Sequence, residues 1–193
     1  MVNNINKQLN QFAPWQQVTF CLALAERMYP NYVLFCEGTE FAGQATFRKM
    51  LDLFWEKLIV KNAKVNFEIQ SEHFESAIPN VEDYDMYGVY PALDACVVVT
   101  CAFNLMLNKQ EDGEEAINAS QTSIATVASF IEATCEEELS EEAIFADELM
   151  EQELAFQQEL IYQLEQQRSP DLLKAVRKFA RNQGVSNIGI SLD

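Results

Sequence analysis

Apolar residues recur at intervals of three and four along most of this 193-residue chain, which is the period of an amphipathic α-helix. Such stripes lie at 18–28, 47–58, 114–136 and 143–164, and a last helix is predicted from Pro170 to the residues before Gly184. Pro14 can open the first helix, and Pro30 predicts its end near Tyr29, since the residue before a proline is pushed out of the α region. The pattern therefore predicts a series of helices joined by short connections.

Several polar residues stand where helices are predicted to begin or end. Asn66, Ser140 and Ser169 are predicted N-caps, because their side-chain oxygens can accept from free backbone N–H groups. Ser140 would cap one continuous helix that carries the apolar stripe to Leu164. Gly184 is the predicted left-handed stop of the last helix, and residues 186–193 are predicted to form an extended tail.

The most apolar segment runs from Ala92 to Leu107 and is interrupted by Asp94, Thr100 and Asn104. Its run of valines would suit a strand, but its length favours a helix buried on all sides. It is shorter than the roughly 20 apolar residues that cross a bilayer, so no membrane segment is expected.

These features predict an all-α protein, a multi-helix bundle with one buried apolar central helix. Residues 1–193 form a single predicted domain, because no Gly/Ser linker, repeat or low-complexity tract divides them. A chain of this length buries roughly 70% of its unfolded surface, so it needs no disulfide or metal to fold.

The formal net charge of −17 is unevenly distributed. No Lys or Arg occurs between Lys109 and Arg168, and this interval, called the acidic block, holds sixteen Asp and Glu residues. A basic helix follows, with Lys174, Arg177 and other cations before residue 182. We hypothesise an internal electrostatic clasp between the acidic block and residues 168–181, because like charges on one helix repel.

The excess of acidic residues also limits which binding partners are expected. The acidic face can be a solvated surface, a docking site for a basic protein partner, or a mimic of nucleic acid. Direct binding of nucleic acid by this chain is not expected, because its field repels phosphate. The sequence allows a homo-oligomer but does not indicate one.

The number and spacing of the cysteines and the single histidine argue against the common Cys/His metal sites and against His-dependent nucleophilic catalysis. The five cysteines are scattered within apolar surroundings, and they are predicted to be reduced core residues of a cytoplasmic protein. The single histidine, His73, lies on a polar helix face and is predicted to be a surface residue. No metal or cofactor is expected, since clustered ligands and glycine-rich phosphate loops are missing from the sequence. Whether the protein is an enzyme stays open.

Two similar segments form the candidate ligand or partner surface. Both 26–32 and 85–91 place tyrosines, a carboxylate and a proline at a predicted helix boundary, and Tyr and Arg are typical of binding surfaces. The alternative is that the tyrosines only pack a helix junction. The candidate residues are Glu26, Arg27, Tyr29, Asn31, Tyr32, Asp85, Tyr87, Tyr90 and Asp94.

Short motifs spread over the chain carry a family resemblance. They are 26–32, Leu51-Asp52-Leu53 with Trp55-Glu56, Lys64-Val65-Asn66-Phe67, 87–92, Asp94-Ala95-Cys96, Thr122-Ser123-Ile124 and 186–190. Through them the chain resembles the YjaG-like family of bacterial proteins of unknown function. The resemblance is weakest over 136–167, so the acidic block is not expected to be the shared functional feature. It implies an all-helical cytoplasmic bacterial protein and brings no reaction, cofactor or catalytic residue.

Three functions remain open on the sequence. The first is a non-enzymatic interaction or regulatory protein that docks a partner through the tyrosine-rich junctions or the acidic face. The second is a small-molecule binder or enzyme, in which Glu26, Arg27, Tyr87, Tyr90 and Asp94 converge on one pocket. The third, nucleic-acid mimicry, needs acidic side chains in two rows at phosphate-like spacing.

Overall fold

The computed structural model describes residues 2–107 and 114–192. Within these ranges no strand forms, and one isolated antiparallel bridge joins Val185 to Ser191. The helices are α1 (Val2–Leu9), α2 (Pro14–Thr39), α3 (Gln44–Ile59), α4 (Phe67–Glu75), α5 (Val89–Leu107), α6 (Glu115–Thr134), α7 (Glu141–Phe145), α8 (Glu148–Leu164) and α9 (Pro170–Ala180). The all-α prediction is confirmed. The predicted break at 108–113 lies outside the described residues.

The apolar helix α5 occupies the centre of the bundle. It packs most extensively along α2, while α6 and α4 cover other sides of it. Val98, Val99 and Ala102 are completely buried. By length and composition α5 could cross a membrane, but most of it is enclosed by protein, as in the core helix of a soluble domain. The predicted central helix is confirmed, but it begins at Val89 rather than Ala92. The prediction that it is buried on all sides is wrong, because Val97 is 39% exposed.

The predicted end of α2 before Pro30 is wrong. The helix continues to Thr39 although Pro30 cannot donate to the carbonyl of Glu26, and such an interior proline costs about 3 kcal/mol. Tyr32 and Phe35, which follow the proline, are almost completely buried. Burying each large side chain contributes roughly 1.5–3 kcal/mol, which offsets the cost. Tertiary packing therefore overrides the local proline signal.

The prediction of one helix from Ser140 to Leu164 is also wrong. Ser140 does cap a helix, since its Oγ accepts from Ala143 N at 3.2 Å, but α7 ends at Phe145. Asp147 then caps α8, accepting from Leu149 N at 2.8 Å. The caps at Asn66 and Ser169 are confirmed.

The described end of the chain is a compact turn rather than an extended tail, which corrects the prediction. Gly184 does adopt a left-handed conformation (φ 87°), but α9 has already ended at Ala180. The following residues 186–190, called the C-terminal turn, close when Ser186 Oγ accepts from Ile188 N and Ile190 N at 3.2 and 3.0 Å. Ser186 and Asn187 are buried. The hydroxyl of Ser186 thus folds this segment back onto the bundle.

Four of the five cysteines are buried and free, as predicted, whereas Cys135 at the end of α6 is exposed. The prediction of a core role is therefore wrong for Cys135. His73 is exposed on α4, as predicted.

Candidate functional site

The structure distributes the nine candidate residues over three places instead of one pocket. Glu26, Arg27 and Asn31 are buried on α2, each facing a different partner helix or turn. Tyr29 and Tyr32 pack near the start of α3. The remaining four, Asp85, Tyr87, Tyr90 and Asp94, lie at the beginning of α5.

Glu26 is the centre of an arginine cluster, defined as Glu26 with Arg48, Arg177 and Arg181. Arg48 donates to both carboxylate oxygens, at 2.8 and 2.7 Å, and Arg177 Nε and Arg181 Nε lie 3.3 and 3.5 Å from them. Glu26 is only 3% exposed. Burial pushes the pKa of Glu26 upward, but the hydrogen bonds and charge of Arg48, with Arg181 and Arg177, outweigh it and lower the pKa.

The partners of helix α9 correct the clasp hypothesis. Arg177 contacts Glu26 and also Asp52, both of which lie outside the acidic block. No ion pair joins α9 to the described part of the block, residues 114–167. The arginines of α9 pair with Glu26 and Asp52 because α9 packs against α2 and α3, the helices that carry these two carboxylates.

Arg27 forms a second charged contact, in the interior. Its Nε lies 3.3 Å from Glu153 Oε2, with the two side chains 6% and 0% exposed. Neither atom completes a hydrogen bond within the described chain, so the pair is held by charge rather than by an aligned N–H. The guanidinium also lies 4.2 Å from the ring centre of Phe156. Burial raises the pKa of Glu153 although Arg27 opposes the rise.

Polar side chains extend this pair to the C-terminal turn. Ser123 Oγ donates to Glu153 Oε1 at 2.7 Å and accepts from Asn187 Nδ2 at 3.2 Å. Asn31 Nδ2 donates to Asn187 Oδ1 at 2.9 Å. Three segments that carry the family resemblance, 26–32, 122–124 and 186–190, therefore meet in one buried network.

The chemistry open to this network is limited by its burial. Its side chains are almost completely removed from solvent, and Gln157, also buried, donates to Glu153 Oε1 at 2.8 Å. A substrate would need a path to these groups. The network instead ties α2, α6, α8 and the C-terminal turn together through specific partners.

Tyr29 and Tyr32 pack a helix junction, which is the alternative to a binding surface. Tyr32 is fully buried, and its hydroxyl donates to the carbonyl of Ala77 at 2.6 Å. A side chain at Gly43 would collide with this hydroxyl, so the tight turn before α3 requires glycine. The half-buried Tyr29 ring lies 5.2 Å from the guanidinium of Arg48 and 5.5 Å from the ring of Phe47.

The predicted common pocket does not form among the described clefts. Five clefts, of about 370 to 670 Å³, are lined by other residues, apart from one of about 460 Å³ that includes Tyr29. Its other polar residues are Gln44 and Arg48. Glu26 and Asp94 line none of the five. No group of three or more His, Cys, Asp or Glu in the described ranges is arranged to hold a metal ion.

An aromatic patch is exposed where α5 begins, and we define it as Met86, Tyr87, Tyr90 and Phe130. Tyr90 is 55% exposed, Met86 42% and Tyr87 38%. The ring of Tyr87 lies 6.2 Å from that of Tyr90 and 6.4 Å from that of Phe130 on α6, and both pairs are tilted. Asp85, immediately before the patch, is exposed.

Asp94 lies one helical turn after Tyr90 and is half-buried. The Thr126 hydroxyl is 2.7 Å from Asp94 Oδ2 and 2.9 Å from the carbonyl of Thr122, but its single proton can serve only one of them fully. No ion pair reaches Asp94 from residues 2–107 or 114–192. Burial raises its pKa, and the bond from Thr126 only partly opposes the rise.

Sequence reasoning missed several residues of these sites. Glu153 and Gln157 fall on the buried stripe of α8, so polar interruptions of an apolar stripe were the available signal. Ser123 and Asn187 belong to motifs used for the family resemblance. Arg48, Arg177 and Phe130 had no comparable signal, because their partners come from distant segments.

The fold and sites define an all-α protein with a buried charge network and an exposed aromatic patch beside carboxylates. A family model described as "Protein of unknown function (DUF416)" matches residues 4–191, and the chain belongs to this family. The resemblance stated from the motifs is thereby confirmed.

Relatives of similar length support this assignment. Over 191 residues the chain is 45% identical to the uncharacterised protein YjaG of Salmonella typhimurium LT2, covering 98% of the chain and 97% of that protein. It is 44% identical to Escherichia coli K12 YjaG over 190 residues, covering 97% and 96%. The crystal structure of a DUF416 family protein from Shewanella baltica OS155 superposes with a TM-score of 0.88 at 36% identity, covering 96% of this chain and 97% of that one.

Proposed function

We propose that the protein is a cytoplasmic, non-enzymatic interaction module that docks a basic protein through the aromatic patch. The observation that carries this proposal is a pair of exposed tyrosines packed near half-buried Phe130, beside carboxylates that form no ion pair with a basic side chain of the described residues. Exposed apolar patches with polar rims are typical of protein-binding surfaces.

The exposed apolar side chains are concentrated at this place. Of the nine exposed large apolar side chains in the described residues, three fall within the five residues 86–90. Met86 also approaches α2, with its terminal carbon 4.0 Å from the position of a Cβ at Gly38. Leu34, one turn earlier on α2, is exposed as well, so apolar surface extends from α5 towards α2.

The charge around the patch selects the partner. Neither 65–107 nor 114–167 contains a Lys or Arg, so both helices that form the patch lack basic residues. Asp85, Asp94 and Glu132 provide negative charge there. A partner that places cationic side chains beside apolar ones would match this surface, because complementary potentials favour association.

The ion pairs that Glu26 and Arg27 form with other residues argue against an active site in the segment 26–32. Both groups are buried and already bound to partners of opposite charge, so neither is available to a substrate without breaking an ion pair. The buried free cysteines suit a reducing compartment such as the cytoplasm.

A small-molecule binder is the second candidate, and one cleft favours it. The cleft of about 460 Å³ at Tyr29, Gln44 and Arg48 falls within the range of ligand pockets, roughly 300–1,000 Å³. Nucleic-acid mimicry remains a third alternative. Its support is that the acidic residues 136–138 are exposed and form no ion pair with α9 among the described residues.

Affinity capture tests the first proposal. The protein and the double variant Tyr87→Ala/Tyr90→Ala are immobilised and exposed to a lysate of the source bacterium, and retained proteins and metabolites are identified by mass spectrometry. We expect a reproducible basic protein on the unmodified chain, released by high salt and absent from the double variant.

Tyr162→Ala is the matched control, since Tyr162 is an exposed tyrosine on α8, away from the patch. It should retain the partner. Equal retention by the double variant would exclude the aromatic patch as the docking surface, and a retained metabolite without a protein would favour the small-molecule alternative.

A further inference from the structure

The centre of the aromatic patch has the composition of a cation site. The ring of Tyr87 is tilted by 55° against Tyr90 and by 47° against Phe130, so neither pair is stacked face to face. Aromatic faces attract cations placed within about 6 Å of the ring centre. Two of these rings are exposed tyrosines, so a ligand can reach them from solvent.

A carboxylate lies at the base of these rings. Tyr90 and Asp94 are four residues apart on α5, which places their side chains on the same face of the helix. Asp94 also accepts from the hydroxyl of Thr126, which lies one turn before Phe130 on α6. Burial raises the pKa of the Tyr87 hydroxyl, and the charges of Asp94 and then Glu132 add to the rise. The site thus combines aromatic rings with the carboxylate of Asp94.

Asp94 differs from the other buried carboxylates of the protein. Glu26 contacts three arginines and Glu153 contacts Arg27, whereas Asp94 has only the shared proton of Thr126 among the described residues. Burial of a carboxylate is unfavourable without a counter-charge, so the buried part of Asp94 carries a desolvation cost that no described cation offsets. A cation supplied from outside would remove this imbalance.

We propose that Asp94, with Tyr87, Tyr90 and Phe130, binds the guanidinium of one arginine side chain from the protein partner. The inference rests on the proposed function and narrows it to one recognition contact. The guanidinium face lies against the tyrosine rings while its N–H groups donate to Asp94, and Glu132 adds negative potential at the rim.

Arginine fits this geometry better than lysine. Its planar group can stack on an aromatic ring and donate to a carboxylate at the same time, and it gives up hydration more readily than an ammonium group. The exposed Met86 beside the site adds apolar surface for the neighbouring residues of the partner, so the occupant is a segment of a protein rather than a free cation.

An NMR titration of the full chain with N-acetyl-arginine amide tests the inference. We expect amide shifts confined to 86–94 and 126–132, and no response to N-acetyl-citrulline amide, which has the same shape without the charge. Asp94→Asn should weaken binding about tenfold, the equivalent of one lost charge-assisted hydrogen bond. Asp83→Asn, an exposed carboxylate on the preceding turn, should leave the affinity unchanged.

The results that would overturn the arginine site differ from those that would overturn the proposed docking function. Equal shifts with citrulline, equal affinity for N-acetyl-lysine amide, or no loss in Asp94→Asn would each overturn the arginine site. If capture of a basic protein still depends on Tyr87 and Tyr90, the proposed function survives that result. If capture is independent of both tyrosines, the proposed function fails whatever the titration shows.

Discussion

Two parts of the molecule treat their carboxylates in opposite ways. Midway along α2, Glu26 is buried against arginines, and Glu153 on α8 is buried against Arg27 of α2, so these acids join helices. At the start of α5, Asp94 is half-buried beside exposed rings and has no cation among the described residues. The same kind of side chain is thus structural where arginines are within reach and available where they are not.

The protonation behaviour follows this difference. The pKa of Glu26 is lowered because Arg48 and two further arginines outweigh burial. The pKa of Asp94 is raised because burial raises it and only the shared hydroxyl proton of Thr126 opposes the rise. Glu153 is intermediate, since burial raises its pKa even though Arg27 is adjacent. The number of arginines on each carboxylate, together with its burial, therefore accounts for the direction of the shift.

The largest effect is expected from Glu153→Gln. It leaves the guanidinium of Arg27 buried without a counter-charge, which typically costs about 3–5 kcal/mol of unfolding free energy. Urea denaturation followed by tryptophan fluorescence measures it, with exposed Glu159→Gln on the same helix as control. A loss no larger than that of the control would mean that Arg27 reaches solvent.

Glu26→Gln should have a smaller effect, about 2–3 kcal/mol, because its three arginines are partly exposed and can turn towards water. The lowered pKa means that the ionised carboxylate stabilises the fold above its unfolded pKa, and this stability is lost as pH falls through the folded pKa. The difference between the chain and the variant should therefore shrink in acid.

Glu37→Gln, an exposed position on the same helix, is the control for this measurement. If the stability gap between Glu26→Gln and the unmodified chain persisted unchanged below the folded pKa, the charge of Glu26 would not be its source.

Asp94→Asn should have the smallest effect on stability, and of opposite sign: a gain of up to about 1 kcal/mol at neutral pH, since removing an unpaired, half-buried charge relieves part of its desolvation. The raised pKa makes the charged form unfavourable above the folded pKa. The advantage of the variant should therefore disappear as pH falls below the unfolded pKa. Thermal unfolding across pH checks this, and a marked loss of stability at pH 7 would contradict an unpaired Asp94.

The helices and caps were largely predictable because their signals are local. Ser169 followed by Pro170 marks the start of α9 by the chemistry of its own backbone, and the structure has that start. The predicted end of α2 before Pro30 was wrong because the packing of the following turns compensates for one lost hydrogen bond. The break between α7 and α8 was missed because Asp147 was read as part of an apolar-striped helix, although it caps the second one.

The candidate sites were predictable only in part. The tyrosine-rich segment before α5 is indeed an exposed surface, since its exposure follows from a loop that carries aromatic and acidic residues. The matching segment on α2 is buried, which its similar composition did not reveal. Burial depends on which helices cover α2, and α8, α9 and the C-terminal turn come from more than a hundred residues further along.

The sequence by itself determined the all-α architecture, the buried central helix, most cap positions and the family, because periodicity, capping and motifs are encoded by neighbouring residues. Only the tertiary structure decided which charges meet. The arginines of α9 bind Glu26 and Asp52 instead of the acidic block, and Asp94 lies beside aromatic rings instead of beside Glu26. Coulomb attraction does not depend on order along the chain, so pairing follows from the packing that brings distant segments together.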